Sequence, residues 1–158
     1  MVRIESKIVK KKHNSQEIIN SLSYLNIPTE IFRLYPLAVL ESIVIFLKNE
    51  KNLNFSEIGI LLSRDQRNIW TVYNRANKKL ASAQLQPVEP NTKLSILEYI
   101  QIPTEIFRFY SLAVLESIVV YLKDERYLSF SDIAMLLGRD QRNIWTVYSR
   151  ARAKLDKM

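Results

Sequence analysis

Residues 27–80 and residues 102–155 are one sequence written twice, at a constant offset of 75, with no gap and with 39 of the 54 paired positions identical. A chain that repeats itself over this length folds the same unit twice. Its 158 residues therefore divide into two modules of about 75 residues, near the lower limit for an independent core. The longest shared run is RDQRNIWTVY, at residues 64–73 and again at 139–148. That run is polar and basic, so a core does not require its detailed chemistry. Two copies of a surface helix imply two copies of a target, or a target with internal symmetry.

Composition narrows the fold class. Only two glycines and five prolines, against 47% hydrophobic residues, argue for helices and against a loop-rich β fold. The chain has no cysteine, and its single histidine, His13, sits in a basic segment. Disulfide scaffolds, thiolate or histidine metal sites and a histidine-based triad are thereby excluded. Glycine-rich phosphate loops and clustered carboxylates are also missing from the sequence, so neither an enzyme nor a cofactor is expected. Residues 1–20 hold no apolar stretch long enough for a signal peptide. The most apolar run, residues 37–47, is interrupted by Glu41 and Ser42 and is too short to span a bilayer. The expectation is a soluble cytoplasmic protein associated with the nucleoid, not with a membrane.

The formal net charge of +7 is concentrated. Residues 64–80 hold Arg64, Arg67, Arg75, Lys78 and Lys79 against Asp65 alone. Residues 139–155 hold Arg139, Arg142, Arg150, Arg152 and Lys154 against Asp140. A basic N-terminal segment adds to them. This is the footprint of a polyanion partner. The bland alternative is solvated helix ends, since Lys and Arg favour last turns.

Along the chain, residues 1–14 read as a flexible basic arm. Residues 15–80 form the first domain, residues 81–93 a linker stiffened by Pro87 and Pro90, and residues 94–158 the second domain. Residues 15–25 and 94–100 read as equivalent amphipathic helices. Ile27-Pro28-Thr29-Glu30 is expected to open another helix, with Pro28 in its first turn. Residues 37–48 are apolar almost all round, so that helix should be enclosed on more than one side, by the other repeat or by another chain. Ser56 and Ser131 read as caps of short helices, and Asp65 and Asp140 as caps of long final helices.

Residues 56–80 have the spacing of a helix-turn-helix. Ile58 precedes the small Gly59 where two helices must approach, Leu62 ends the first helix, Ser63 makes the turn, and Ile69 and Val72 anchor the second helix. The second copy repeats this with Ile133, Ala134, Leu137, Gly138, Ile144 and Val147. On these residues, with Asp65, Arg75-Ala76 and Lys79-Leu80 and their twins Asp140, Arg150-Ala151 and Lys154-Leu155, the chain resembles the promoter-reading fourth region of bacterial sigma factors. The likeness covers about 45 residues of each repeat. It implies that Gln66, Arg67 and Thr71 contact bases and that Asn68 and Trp70 meet the backbone or base edges. No segment resembles the sigma region that melts promoter DNA, so the chain reads as a regulator and not as a complete initiation factor.

Helical geometry gives a similar set. With Ile69, Val72, Ala76 and Leu80 inward, Gln66, Arg67, Trp70, Thr71, Asn74 and Lys78 point outward. Glutamine suits adenine, arginine guanine, and threonine a thymine methyl. The expected base-reading residues are therefore Gln66, Arg67, Trp70 and Thr71 with Gln141, Arg142, Trp145 and Thr146. The expected phosphate contacts are Arg64, Asn68, Arg75, Lys78, Arg139, Asn143, Arg150 and Arg152. Two fates are open for the tryptophans: apolar contact with DNA, or packing against Tyr73 and Tyr148 or between the repeats. Glu41 and Glu116 are expected to pair with arginines, Arg33 and Arg108 or Arg75 and Arg150.

The sequence thus predicts an all-α protein of two tandem helical domains, each ending in a helix-turn-helix. Its expected function is sequence-specific binding of double-stranded DNA in transcription regulation, as a monomer acting as a pseudo-dimer or as a homodimer. The alternatives are an adaptor, for instance one binding RNA polymerase, and a nonspecific nucleoid protein.

Overall fold

Isoleucine before proline is pushed out of the α region by the proline ring, and this chain places an Ile-Pro pair at the start of each copy. In the computed structural model, which describes residues 25–34, 36–83, 100–108 and 111–158 with Glu17, Asn20 and Leu22, both pairs are extended. Strand β1 (Asn26–Pro28) pairs antiparallel with β2 (Gln101–Pro103). The helix expected to open at Ile27-Pro28 therefore begins later, as α1 (Ile31–Leu34). Each proline sits at the end of its three-residue strand, where a missing N–H costs a two-stranded ribbon little.

The register carries most of the information. Ile27 faces Ile102, its own image in the repeat, and Asn26 and Pro28 face Pro103 and Gln101. An antiparallel pair in which a residue meets its own copy has a local two-fold axis between them. The next hydrogen bonds obey it: Thr29 N–H donates to Ile100 O at 3.2 Å, and Thr104 N–H donates to Leu25 O at 3.1 Å.

The rest of the chain is predominantly helical. After α1 come α2 (Val39–Asn49), α3 (Phe55–Leu61) and α4 (Gln66–Ser82). After β2 come a 3₁₀ turn (Thr104–Arg108), α5 (Val114–Val120) running into a π turn (Tyr121–Glu125), α6 (Phe130–Leu137) and α7 (Gln141–Leu155). Contacts between the copies are reciprocal: α1 touches α6, the 3₁₀ turn touches α3, and α2 touches α5. Such reciprocity is the mark of a two-fold interface. The almost wholly apolar α2 is covered by α4 on one side and α5 on another. Buried residues of both copies, from Ile27, Ile43 and Leu47 to Ile118, Leu122 and Ile144, form one continuous cluster.

The short helices start two residues earlier than expected. Asn54 caps α3, accepting from Glu57 N–H at 2.9 Å while Glu57 accepts from Asn54 N–H at 2.8 Å. Ser129 caps α6 in the same way with Asp132. Ser56 and Ser131 are inside the helices because the reciprocal box needs an acid three residues beyond the cap, and only Asn54 and Ser129 have one. The turns after these helices use the left-handed region, at Ser63 with φ 54° and Gly138 with φ 59°. Ser63 donates its hydroxyl to Phe107 O of the other copy at 2.9 Å. Gly138 stands at the equivalent place opposite Phe32 O, with no side chain to bond it. The expected arm (1–14), most of the expected helix at 15–25, linker residues 84–93 and positions 94–99 lie outside the described residues.

Since one core serves both copies, thermal unfolding should be a single transition with matching calorimetric and van't Hoff enthalpies. Ile27→Ala and Ile102→Ala should each lower stability by about 3 kcal/mol, and by similar amounts, because the two side chains fill one shared site. Denaturant titration of the two variants checks this; a loss confined to one of them would contradict the two-fold joint.

Candidate nucleic-acid interface

Helices α4 and α7 each begin at an aspartate. Asp65 accepts from Arg67 N–H at 2.8 Å, and Asp140 accepts from Arg142 N–H at 2.8 Å and Asn143 N–H at 3.4 Å. These bonds satisfy first-turn donors that no helix can satisfy itself. Ile69, Val72 and Ala76 are buried, as are Ile144, Val147 and Ala151. That stripe fixes which face of each helix remains outside. The turn before α4 is tight: a Cβ added to Gly59 would stand 2.7 Å from Arg64 O. The second copy carries Ala134 there, so its turn accommodates one more carbon.

Most of the outward set follows the helical spacing, except that Asn74 is half-buried and Asn68, outside that set, is exposed. Gln66, Arg67, Asn68, Trp70 and Thr71 are exposed, with Lys78 further along; Gln141, Arg142, Asn143, Trp145 and Thr146 repeat the pattern. Trp70 is 56% exposed and Trp145 57%. Neither packs on the neighbouring tyrosine. Tyr73 meets Phe55 edge-on at 5.3 Å between ring centroids and donates its hydroxyl to Asn49 Oδ1 at 3.1 Å. Tyr148 meets Phe130 at 5.4 Å and donates to Asp124 Oδ1 at 2.7 Å. The bond to Asp124, with burial behind it, holds the Tyr148 phenol above its ordinary pKa. Thr71 and Thr146 donate their hydroxyls to the carbonyls of Arg67 and Arg142, each at 2.9 Å. Their protons are thus used within the helix, leaving lone pairs and a methyl for any partner.

The cations divide into two classes. Among the described residues Arg64, Arg67, Lys78, Arg139, Arg142 and Arg150 enter no ion pair. Arg75, expected at a phosphate, places Nε 2.7 Å from Glu41 Oε1. Arg152, expected at a phosphate too, lies 3.5 Å from Asp124 and 3.9 Å from Asp156. Both keep about half of their side-chain surface exposed.

Glu41 is the acid of an otherwise apolar helix and is wholly buried. Its Oε2 accepts from Ala38 N–H at 2.8 Å, closing the start of α2, and Lys79 Nζ reaches the same atom at 2.8 Å. Glu116 repeats this in α5: Oε2 accepts from Ala113 N–H at 2.8 Å and from Lys154 Nζ at 2.6 Å. The expected arginine partners are therefore only part of the account. Lys79 and Lys154 carry the brace in both copies, and Arg75 adds to it in the first. The signal in the sequence was an acid recurring at one place in an apolar helix, which demands a cation. Burial disfavours the charged form of Glu41, but the hydrogen bonds from Lys79, Ala38 and Arg75 outweigh it and hold the carboxyl below its usual range.

Among the described residues no three acids or histidines gather where they could hold a metal ion, and no helix is long and apolar enough to cross a membrane. No protein-family model matches the chain, and neither a curated protein nor a solved structure matches it.

Removing one cation should test the brace. Lys154→Met leaves buried Glu116 without a cation and should cost about 3 kcal/mol, whereas Lys79→Met leaves Arg75 on Glu41 and should cost about 1 kcal/mol. Urea unfolding of both variants measures the difference; equal losses would contradict it. Glu41 also sets an acid limb. Its folded pKa lies below the ordinary 4.5, so its contribution is whole at neutral pH and is lost as pH falls from near 4.5 through the lower folded value. Glu41→Gln should flatten the fall in stability between about pH 5 and about pH 3.

Proposed function

We propose that the chain is a sequence-specific double-stranded DNA-binding protein that regulates transcription. On this reading α3–α4 and α6–α7 are two helix-turn-helix units similar to the fourth region of sigma factors, in a cytoplasmic, nucleoid-associated protein. One observation carries the proposal: the ten residues shared without change by the two copies open helices whose inner faces are buried and whose Gln, Arg, Trp and Thr side chains stand in solvent. Packing accounts for Ile69 and Val72 and their twins. It does not account for the preservation of Gln66, Arg67, Trp70 and Thr71, which touch little of the protein.

Chemistry assigns the roles. Arg67 and Arg142 suit guanine edges, Gln66 and Gln141 adenine, and Thr71 and Thr146 a thymine methyl. Trp70 and Trp145 supply apolar contact with a methyl or sugar. Arg64, Asn68, Lys78, Arg139, Asn143 and Arg150 suit phosphates; Arg75 and Arg152 serve there with the donors their ion pairs leave free. The two-fold register of β1 and β2 supports a single chain acting as a pseudo-dimer on an inverted repeat. Half-sites about 10 base pairs apart would suit one helix in each of two successive grooves.

The exposed tryptophans also favour a second reading, an adaptor that binds a protein such as RNA polymerase, since exposed aromatic anchors are the usual energetic centres of protein interfaces.

Selection of bound sites from random duplex DNA at about 150 mM salt should recover two similar half-sites in inverted orientation. Arg67→Ala with Arg142→Ala should remove the preference for that site by about 10- to 100-fold per half-site, with the fold retained. Affinity for the selected site should fall with salt at a log–log slope of about −0.9 per phosphate contact. No enrichment and no salt dependence would favour the adaptor; salt dependence without enrichment would indicate nonspecific packaging.

A further inference from the structure

A helical serine commonly bonds its hydroxyl back to the carbonyl one turn earlier. Ser117 does so, donating to Ala113 O at 3.3 Å. Ser42, its image, does not. It is 3% exposed, and among the described residues its hydroxyl has no hydrogen-bond partner. Buried hydroxyls left in this state are uncommon and point to an unassigned role. Ser42 lines a cavity of about 370 Å³ between α1, α2 and the end of α4, walled mainly by Ile31, Leu34, Ile45, Phe46 and Leu80, with Asn49 and Glu50 completing the lining. This volume falls within the range of small-molecule sites, and a mostly apolar wall with a few placed polar groups is their usual composition.

The repeat strengthens the case. The exposed run at 64–73 is unchanged in the second copy, whereas half of the cavity wall is not. Leu34, Ile45, Phe46 and Asn49 become Phe109, Val120, Tyr121 and Asp124. The copies therefore keep one surface and diverge at the other.

We propose that the first copy holds a binding pocket for a small uncharged ligand with a branched or single-ring apolar body and one hydrogen-bond acceptor, which receives the Ser42 hydroxyl. The mostly apolar wall disfavours ions, because it holds few groups that would replace their hydration and Asn49 Oδ1 already accepts from Tyr73. Glu50 in the lining disfavours anions further. The proposal does not rest on DNA reading, because binding is measured on the protein alone.

The test uses the full chain with labelled isoleucine and leucine methyls, titrated with cyclohexanone and with methylenecyclohexane, which has the same shape and no comparable acceptor. Saturable shifts are expected at Ile31, Leu34, Ile45 and Leu80, with Ile106 and Leu155 unmoved. Ser42→Ala should weaken cyclohexanone about tenfold and leave methylenecyclohexane within about twofold. This variant deletes an unpartnered hydroxyl and should fold as the parent does. Ile45→Phe should fill the space and abolish binding of both probes. Absence of saturable shifts at the four methyls, equal shifts in both copies, or a Ser42→Ala variant that treats the two probes alike would overturn the proposal.

Discussion

The facing of Ile27 and Ile102 is the contact from which the rest of the arrangement follows. Each isoleucine is held extended by the proline after it, and each is fully buried. A strand of three residues has no stability of its own and needs a second strand and a covered face. Each copy supplies the other's second strand. Once the two isoleucines meet, the two-fold relation is set, and α2 and α5 come together across it. That gives α2 a second cover, which a helix apolar on nearly every side requires. Without the joint, Val44, Leu47 and their twins would have to be buried by modules too small to enclose them.

The outer helices are tied to this centre by charge as well as by packing. Lys79 and Lys154 reach from the later turns of α4 and α7 to acids in the first turns of α2 and α5. Each acid also closes the start of its own helix through the Ala38 or Ala113 N–H. A single carboxylate therefore ends one helix and orients another. The far end of α4 is pinned by this brace and its middle by Ile69, Val72 and Ala76, so the position of its exposed first turns is determined by the core.

Much of this was legible in the residues. The aspartates gave the starts of the long helices, and the 3.6-residue period separated Ile69 and Val72 from Gln66 and Trp70. What was not legible involved competition between local rules. Proline suits both a first helical turn and a short edge strand, and only the existence of a second Ile-Pro to pair with decides for the strand. Ser56 is a good cap in isolation, but Asn54 with Glu57 satisfies two backbone donors instead of one. The partner of Glu41 depended on side-chain reach across helices that no spacing encodes. The cavity at Ser42 could not be foreseen at all, because Ser42 and Ser117 have identical flanking residues and differ only in what surrounds them in space.

The asymmetry at the turns has a separate consequence. Ser63 bonds Phe107 O, while Gly138 faces Phe32 O with no bond to give. In an association of two identical chains, any substitution at a two-fold joint is felt on both sides at once. Joining both halves in one polypeptide removes that obligation. Each position can drift by itself, and a costly change on one side can be carried by the intact interaction on the other. The left-handed serine on one side and the glycine on the other are one such inequality. Lys78, where the second copy has Ala153, shows the same inequality on the exposed helices, so the two halves can differ at their surfaces without losing their common frame.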